Sequence, residues 1–211
     1  MKNKKAKFIV LEGGEGSGKS SLLKALKDEY KDRFIFTREP GGSAYAEEIR
    51  NLALKHPLAK DADAYTMICL MFAARFDHVD KLIKPNIKKG ISVISDRFDA
   101  SSYTYQIHAQ ETPKIEKLFW HLRDNLPLVP DLYIYVDVNV EEGLRRVESR
   151  NPTTNENNHF DGRKMDFHKR IRKGYKKFFK NKKVKHVVID ANRPFEEVKE
   201  EFFKVIDSHL N

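Results

Sequence analysis

Cysteine is almost absent from this chain: Cys69 is the single one among 211 residues. An intrachain disulfide is thereby excluded, and a reducing cytoplasm is the compartment such usage fits. Apolar neighbours in sequence predict that Cys69 is a core thiol rather than a nucleophile. Long apolar runs are missing as well. No stretch reaches the roughly 18 residues that a membrane-spanning helix requires, so no membrane association is expected. The basic N-terminus leads into a four-residue apolar run, not into the h-region of a secretion signal. Internal repeats, low-complexity tracts and a dividing linker are also lacking, which predicts a single domain over 1–211 with a sizeable core. Acidic residues are the minority, with 40 Lys and Arg against 31 Asp and Glu and a net charge of +9. That surplus, densest at Lys2–Lys7 and Lys176–Lys185, points to a polyanionic partner. A nucleic acid and a cleft that gathers several phosphates satisfy it equally.

What the chain does have is a phosphate-binding loop. Residues 13–20 read Gly-Gly-Glu-Gly-Ser-Gly-Lys-Ser and match Gly-x4-Gly-Lys-[Ser/Thr], directly after the apolar run Phe8-Ile9-Val10-Leu11. Gly13, Gly14, Gly16 and Gly18, with Glu15 and Ser17 between them, allow the backbone to wrap round phosphates with its N–H groups inward. Lys19 is long enough to reach the β- and γ-phosphates, the Ser20 hydroxyl suits Mg²⁺, and Ser21 opens a helix whose N-terminus lies under the anion. A nucleoside triphosphate is the expected ligand.

Apolar runs recur at Phe8–Leu11, Phe34–Phe36, Ile91–Ile94, Leu132–Val138 and Val187–Ile189, with helical periodicity between them. This alternation predicts an α/β fold of three layers, a five-stranded parallel sheet with helices on both faces. The segment Ala62–Ile83 is apolar around most of its circumference and should form a central helix ending near Pro85. Residues 150–161 are polar and Asn-rich, with one proline and no apolar run. They are the candidate for a mobile lid.

Open α/β sheets bind ligands beyond the C-terminal ends of their strands. Thr37-Arg38-Glu39-Pro40-Gly41-Gly42 follows the second run; Asp96-Arg97-Phe98 and Ser101-Ser102-Tyr103-Thr104-Tyr105-Gln106 follow the third. Phe72-Ala73-Ala74-Arg75 lies on the long helix. Pro130-Asp131-Leu132, Glu142-Gly143-Leu144-Arg145-Arg146, Asp166-Phe167-His168-Lys169-Arg170, Gly174-Tyr175 and Asp190-Ala191 come later in the chain. In this order, over nearly the whole length, the sequence resembles the thymidylate kinase family, P-loop enzymes that transfer a phosphoryl group from MgATP to dTMP. The resemblance implies that Lys19 grips the donor phosphates and that Ser20 and Asp96 hold Mg²⁺. Arg38 and Arg97 would hold the acceptor monophosphate and steady the transferring group, for which a planar guanidinium is suited. Glu15 would approach the sugar 3′-hydroxyl and the metal region. Pro40 would be a cis-proline that turns Arg38 toward the phosphate. Arg75 would read the base edge and Tyr105 lie beside the deoxyribose, with Met71, Phe72, Ser102 and Gln106 in the same pocket. A homodimer paired through long helices is also implied.

Four positions differ from the family pattern. Met71 stands where a Phe usually stacks on the base, with Phe72 one step on. Gly16 stands where one family class carries an arginine, and that class difference places compensating arginines in the lid. His159 occupies the lid position of the expected arginine, leaving Arg150 and Arg163 as the nearest permanent cations and the favoured ones. Ala100 replaces a residue that is often acidic. Two other readings stay open. One is a kinase for dUMP or a broader set of monophosphates. The other is a basic P-loop ATPase that binds nucleic acid, against which stands the lack of an added basic module.

Overall fold

The structure, a computed structural model, describes residues 5–150, 165–181 and 184–210. Its centre is a parallel sheet of β1 (Phe8–Glu12), β2 (Ile35–Arg38), β3 (Val93–Asp96), β4 (Leu132–Asp137) and β5 (His186–Asp190). The strands lie in the order β2-β3-β1-β4-β5, and every neighbouring pair is parallel. Alternate residues of a strand face opposite sides, and β1 shows what that does here. Phe8 and Val10 enter a core with Phe72, Tyr103, Phe119, Tyr175 and Phe178. Ile9 and Leu11 enter a second core with Leu22, Leu26, Val198, Phe202 and Ile206. These four side chains are wholly buried, and their run is apolar because both faces of the strand are covered. The expected three-layer α/β sheet is therefore present. Strand three starts two residues later than its apolar run, because Ile91 closes a turn by donating its N–H to Asn86 O.

Helices α1 (Lys19–Glu29) and α9 (Phe195–Leu210) cover the second face. The first face is covered by α3 (Ala64–His78), α6 (Glu116–Asp124) and α8 (Met165–Phe179), while α2 (Ala44–Leu54) packs on α3. Two expectations for α3 need correction. The helical path does not stop near Pro85. A π-helical turn, Val79–Ile83, carries it on into α4 (Lys84–Lys88), with Lys84 N–H bonded to Val79 O five residues back. The widened turn admits Pro85 in the first turn of the next segment, where its missing N–H matters least. Nor is Cys69 a core thiol; it is exposed. Tyr65, Thr66, Cys69 and Ala73 form the outward stripe of α3, whereas Met67, Ile68, Met71 and Phe72 are buried. Neighbours in sequence stand about 100° apart round a helix, so an apolar flank does not bury the residue between.

Beyond β3 the chain forms α5 (Asp99–Ser102) and then a second π-helical segment, Tyr103–Ala109. Its anchor is Asp99, wholly buried, which accepts from Arg123 Nε at 2.6 Å and from Tyr133 Oη at 2.5 Å. A buried carboxylate matched in this way costs far less than an unpaired one. Around the pair lies an aromatic cluster in which Trp120 stacks on Phe178 with centroids 5.9 Å apart and Phe119 meets Tyr103 edge to face at 5.3 Å.

The loop Gly13–Gly18 is pressed against the start of α7 (Val140–Arg150). A Cβ on Gly16, whose φ is +66°, would collide with the Gly143 carbonyl, and one on Gly143 would lie 2.6 Å from Glu15 O. Two glycines thus make the backbone contact that shapes the loop. Gly143→Ala adds one methyl group to this contact without any backbone strain of its own. We expect it to lower stability by about 1–3 kcal/mol, the range for overpacking a tight site, seen as a drop of several degrees in a thermal melt. An unchanged melting curve would show that the loop does not depend on this contact.

Candidate active site

The C-terminal ends of β1, β2 and β3 open into one cleft, and three loops supply its polar groups. The first is the glycine loop. Gly18 caps α1 in the left-handed region, φ 88°, and no side chain caps the helix, so its first N–H groups face the cleft. Lys19 follows and is only 8% exposed. Burial and the nearby Arg97 lower its pKa to about 8, against the pull of Asp96, Glu12 and Glu15 in the other direction. An ammonium held in this way favours an anionic partner.

The second loop reverses the chain after β3. Arg97 has φ 68°, a left-handed conformation that a residue with a side chain adopts only when its surroundings enforce it. Arg97 N–H donates to Leu11 O at 2.8 Å, and Ser95 Oγ donates to Arg97 O at 2.8 Å. The decisive partner is Glu12, wholly buried at the end of β1. Its Oε1 accepts from Phe98 N–H at 2.8 Å and Ser101 N–H at 3.2 Å, and its Oε2 accepts from Ser101 Oγ at 2.7 Å. Burial pushes the Glu12 carboxyl up to about 7 although Arg97 and these hydrogen bonds oppose the shift. The Arg97 guanidinium donates to Ser101 Oγ and Tyr175 Oη, each at 3.0 Å, and stands 5.3 Å from the Tyr105 ring centre. Tyr175 reaches this position because α8 approaches the π-helical segment at Gly174, where a Cβ would lie 3.0 Å from His108 Cβ.

The third loop follows β2. Arg38, half exposed, forms a two-pronged pair with Glu47 of α2. The Glu39–Pro40 bond is cis, as the resemblance implied. Glu39 is buried between two residues of α3, with Oε2 2.7 Å from Arg75 Nε and Oε1 3.0 Å from His78 Nδ1. His78 Nε2 in turn lies 2.8 Å from Thr37 Oγ1, which ties the loop to α3. Arg75 is sandwiched between the Phe72 and Phe98 rings, at 4.7 and 4.9 Å. Its Nη2 donates to Ser102 Oγ at 3.0 Å, while its Nη1 is buried and has no hydrogen-bond partner among the described residues.

Between these loops lies a cavity of about 220 Å³. Glu15, Arg38, Pro40, Met71, Arg75, Asp96, Arg97, Ser102, Tyr105 and Gln106 all line it. Phe72 does not; it supports the Arg75 guanidinium from behind. Arg50 and Leu54 of α2 line the cavity too and were missed by the sequence reading. Arg50 donates to Pro40 O at 2.7 Å. Their signal was weak, because an Arg and a Leu on a helix are ordinary. Glu12 and Tyr175 were also missed as site residues, although a carboxylate ending an apolar strand just before a phosphate loop is unusual. Ala100 is buried in α5. His168 Nδ1 lies 3.9 Å from Glu15 Oε2. The lid expected at residues 150–161, with His159, lies outside the described residues beyond the backbone of Arg150, the last residue of α7, and Arg163 lies outside them too.

Ser20 and Asp96 face a neighbouring cleft between α1 and β2. Asp96 Oδ1 is buried without a hydrogen-bond partner among the described residues. A hydroxyl and one carboxylate with a spare oxygen fit a hard cation that takes its other ligands from phosphates and water, as Mg²⁺ does.

The model of the thymidylate kinase family matches residues 11–202. A thymidylate kinase of Shouchella clausii is 38% identical over 198 residues, 92% of either chain. One of Mycoplasma capricolum is 35% identical over 207 residues, 94% of this chain and 93% of its own. The crystal structure of thymidylate kinase from Ehrlichia chaffeensis superposes with a TM-score of 0.73 at 26% identity, over 96% of this chain and 100% of that one. With a family model spanning most of the sequence, relatives matched nearly end to end, and the glycine loop and arginine-lined cavity at one edge of the sheet, this chain belongs to the thymidylate kinase family.

Proposed function

We propose that the chain transfers the γ-phosphoryl group of ATP to dTMP, giving ADP and dTDP. The observation that carries this reading is the placement of Arg97 and Lys19, two cations between the glycine loop and a cavity that Arg38, Arg50 and Arg75 also line. Phosphoryl transfer of this kind is mainly positioning and charge neutralisation. The glycine loop and Lys19 hold the donor phosphates. Arg97, fixed by Ser101 and Tyr175, and Arg38 hold the acceptor monophosphate from its other sides, so that the acceptor oxygen and the γ-phosphorus are brought in line. Arg75 Nη1 donates to the base, and a buried donor with no partner among the described residues discriminates against a base edge that cannot accept. Tyr105 lies along the sugar, and Glu15 faces its hydroxyl. Ser20 and Asp96 would hold Mg²⁺, which when bound supplies further neutralisation of the phosphates.

The reading includes a homodimer paired through α2 and α3, supported by Tyr45, Leu52 and Tyr65, which are 67%, 49% and 42% exposed on those helices. An ATPase that needs nucleic acid is less well supported, since α8 cations are engaged within the chain: Arg172 and Lys176 pair with Asp137, and Lys177 with Glu116. A broader acceptor range, suggested only by the flexible Met71 in the cavity wall, is less well supported than dTMP.

A coupled assay with MgATP and a panel of nucleoside monophosphates tests the function, with dTMP expected as the best acceptor. Lys19→Ala and Arg97→Ala should each lower kcat by about 10³-fold, the scale for removing a cation from a transferring phosphoryl group. Arg75→Ala should raise KM for dTMP much more than KM for ATP. ATP consumption that needs DNA or RNA instead of a monophosphate would defeat the proposal.

Lys19 generates a pH dependence of its own. Its pKa of about 8 in the free site means that the proton is lost as pH rises past 8, and with it the attraction for phosphates. The kcat/KM for ATP should therefore fall above about pH 8, while the kcat limb lies higher because bound phosphates raise the lysine pKa. Lys19→Arg, permanently charged, should lose this limb in whatever activity it keeps. A flat kcat/KM profile through pH 9 in the wild type would contradict the assignment.

A further inference from the structure

Arg38 ends β2 with its side chain 48% exposed, yet it is not a free surface cation. Its Nη1 donates to Glu47 Oε1 at 2.8 Å and its Nη2 to Glu47 Oε2 at 2.9 Å. A guanidinium has five N–H donors, and this end-on fork occupies two of them. The Nε–H edge and the two outer Nη hydrogens remain for another anion, so the fork decides which edge is presented.

Glu47 is itself fixed. It lies in the first turn of α2, and its Oε1 also accepts from Gly42 N–H at 2.8 Å. The same carboxylate fills the space that a Cβ on Gly41 would need, which a glycine with φ +122° leaves open. One turn further on, Arg50 holds Pro40 O at 2.7 Å. Ser43, the residue before α2, donates to Asp77 Oδ2 of α3 at 2.5 Å and fixes the helix start. Helix α2 thus grips loop 38–42 at Gly42 N and at Pro40 O, and the same carboxylate that takes the loop amide takes the arginine.

We infer that Glu47 is a positioning residue of the acceptor-phosphate site, holding the Arg38 guanidinium so that its free edge meets the acceptor monophosphate. The inference rests on the proposed role of Arg38. An ordinary exposed ion pair contributes little and leaves substrate binding untouched. Glu47 differs because its carboxylate is anchored by a backbone donor and its partner lines the substrate cavity.

The test is a double-mutant cycle on the full chain with MgATP and dTMP. The variants are Glu47→Ala, Glu47→Gln, Arg38→Ala and the double change Arg38→Ala with Glu47→Ala, each with a thermal melt to confirm folding. Glu47→Ala is expected to raise KM for dTMP roughly tenfold while KM for ATP stays within about twofold, and to have no further effect once Arg38 is gone. Glu47→Gln keeps an oxygen for Gly42 N–H but loses the charge. It should give a smaller rise with the same dependence on Arg38, and it carries the test if Glu47→Ala does not fold. An unchanged or lowered KM for dTMP in both Glu47 variants overturns the inference. So does an equal effect in the Arg38→Ala background, which would mean that Glu47 acts on the loop alone. If Arg38→Ala itself leaves dTMP kinetics unaltered, the role given to Arg38 fails, and the inference falls with it for that separate reason.

Discussion

Mutual repulsion among cations is the constraint on which this site is built. Arg38, Arg50, Arg75 and Arg97 border one small cavity, with Lys19 beside it. Each is held by an acceptor: Glu47 for Arg38, Pro40 O for Arg50, Glu39 for Arg75, and the Ser101 hydroxyl bound to Glu12 for Arg97. Carboxylates stand among the cations in the cavity wall, since Glu15, Glu39 and Asp96 line it with the four arginines. The guanidinium groups are thus fixed by the protein's own acceptors, and donors held in this way are preorganised for an anion.

Placing so many long side chains within a few ångströms requires backbone that comes unusually close. Three glycine contacts provide it. Gly16 against Gly143 shapes the phosphate loop, Gly42 leaves room for His78 and Thr37, and Gly174 brings α8 near enough for Tyr175 to reach Arg97. The left-handed backbone of Arg97 serves the same end, since the chain must reverse at once after β3 for its guanidinium to return over the sheet. Glu12 makes that reversal stable by taking the amide of the very next residue. Sheet order contributes too: β1 lies between β3 and β4, so the glycine loop is central and the loops after β2 and β3 fall to one side of it.

These facts explain what was legible beforehand. Motifs that act through composition and spacing can be read in a sequence, and the glycine loop, Arg38, Arg75, Arg97 and Tyr105 come together as their positions after strands and on the long helix required. The three-layer sheet was legible for the same reason, since a strand covered on both faces reads as a near-continuous apolar run. Residues whose role depends on a distant partner were not legible. Glu12, Glu47 and Arg50 are charged residues of a common type, and only the fold shows that one faces Phe98 N–H and another Arg38. The exposed Cys69 and the passage through Pro85 failed on local grounds. A helix that is apolar almost all round gives no sign of which stripe faces outward, and a π-helical turn has no strong pattern of its own.

Burial sets the charges of this site against the fold, and the titration of two of them shows in which direction. Glu12, raised to about 7, binds its proton more tightly in the folded chain than in the unfolded one. Its contribution to stability is therefore complete below the ordinary carboxylate range and is lost as pH rises through about 7. Lys19, lowered to about 8, gives up its proton more readily when folded, so at neutral pH the charged ammonium is a burden on the fold. Both shifts arise mainly from burial, and both burdens are borne at the pH where the enzyme works. A phosphate beside Lys19 would oppose the second, because a neighbouring anion raises the pKa of an ammonium. A further internal carboxylate beside Lys19 would relieve the same burden by raising its pKa, and it would compete for the ammonium with any phosphate.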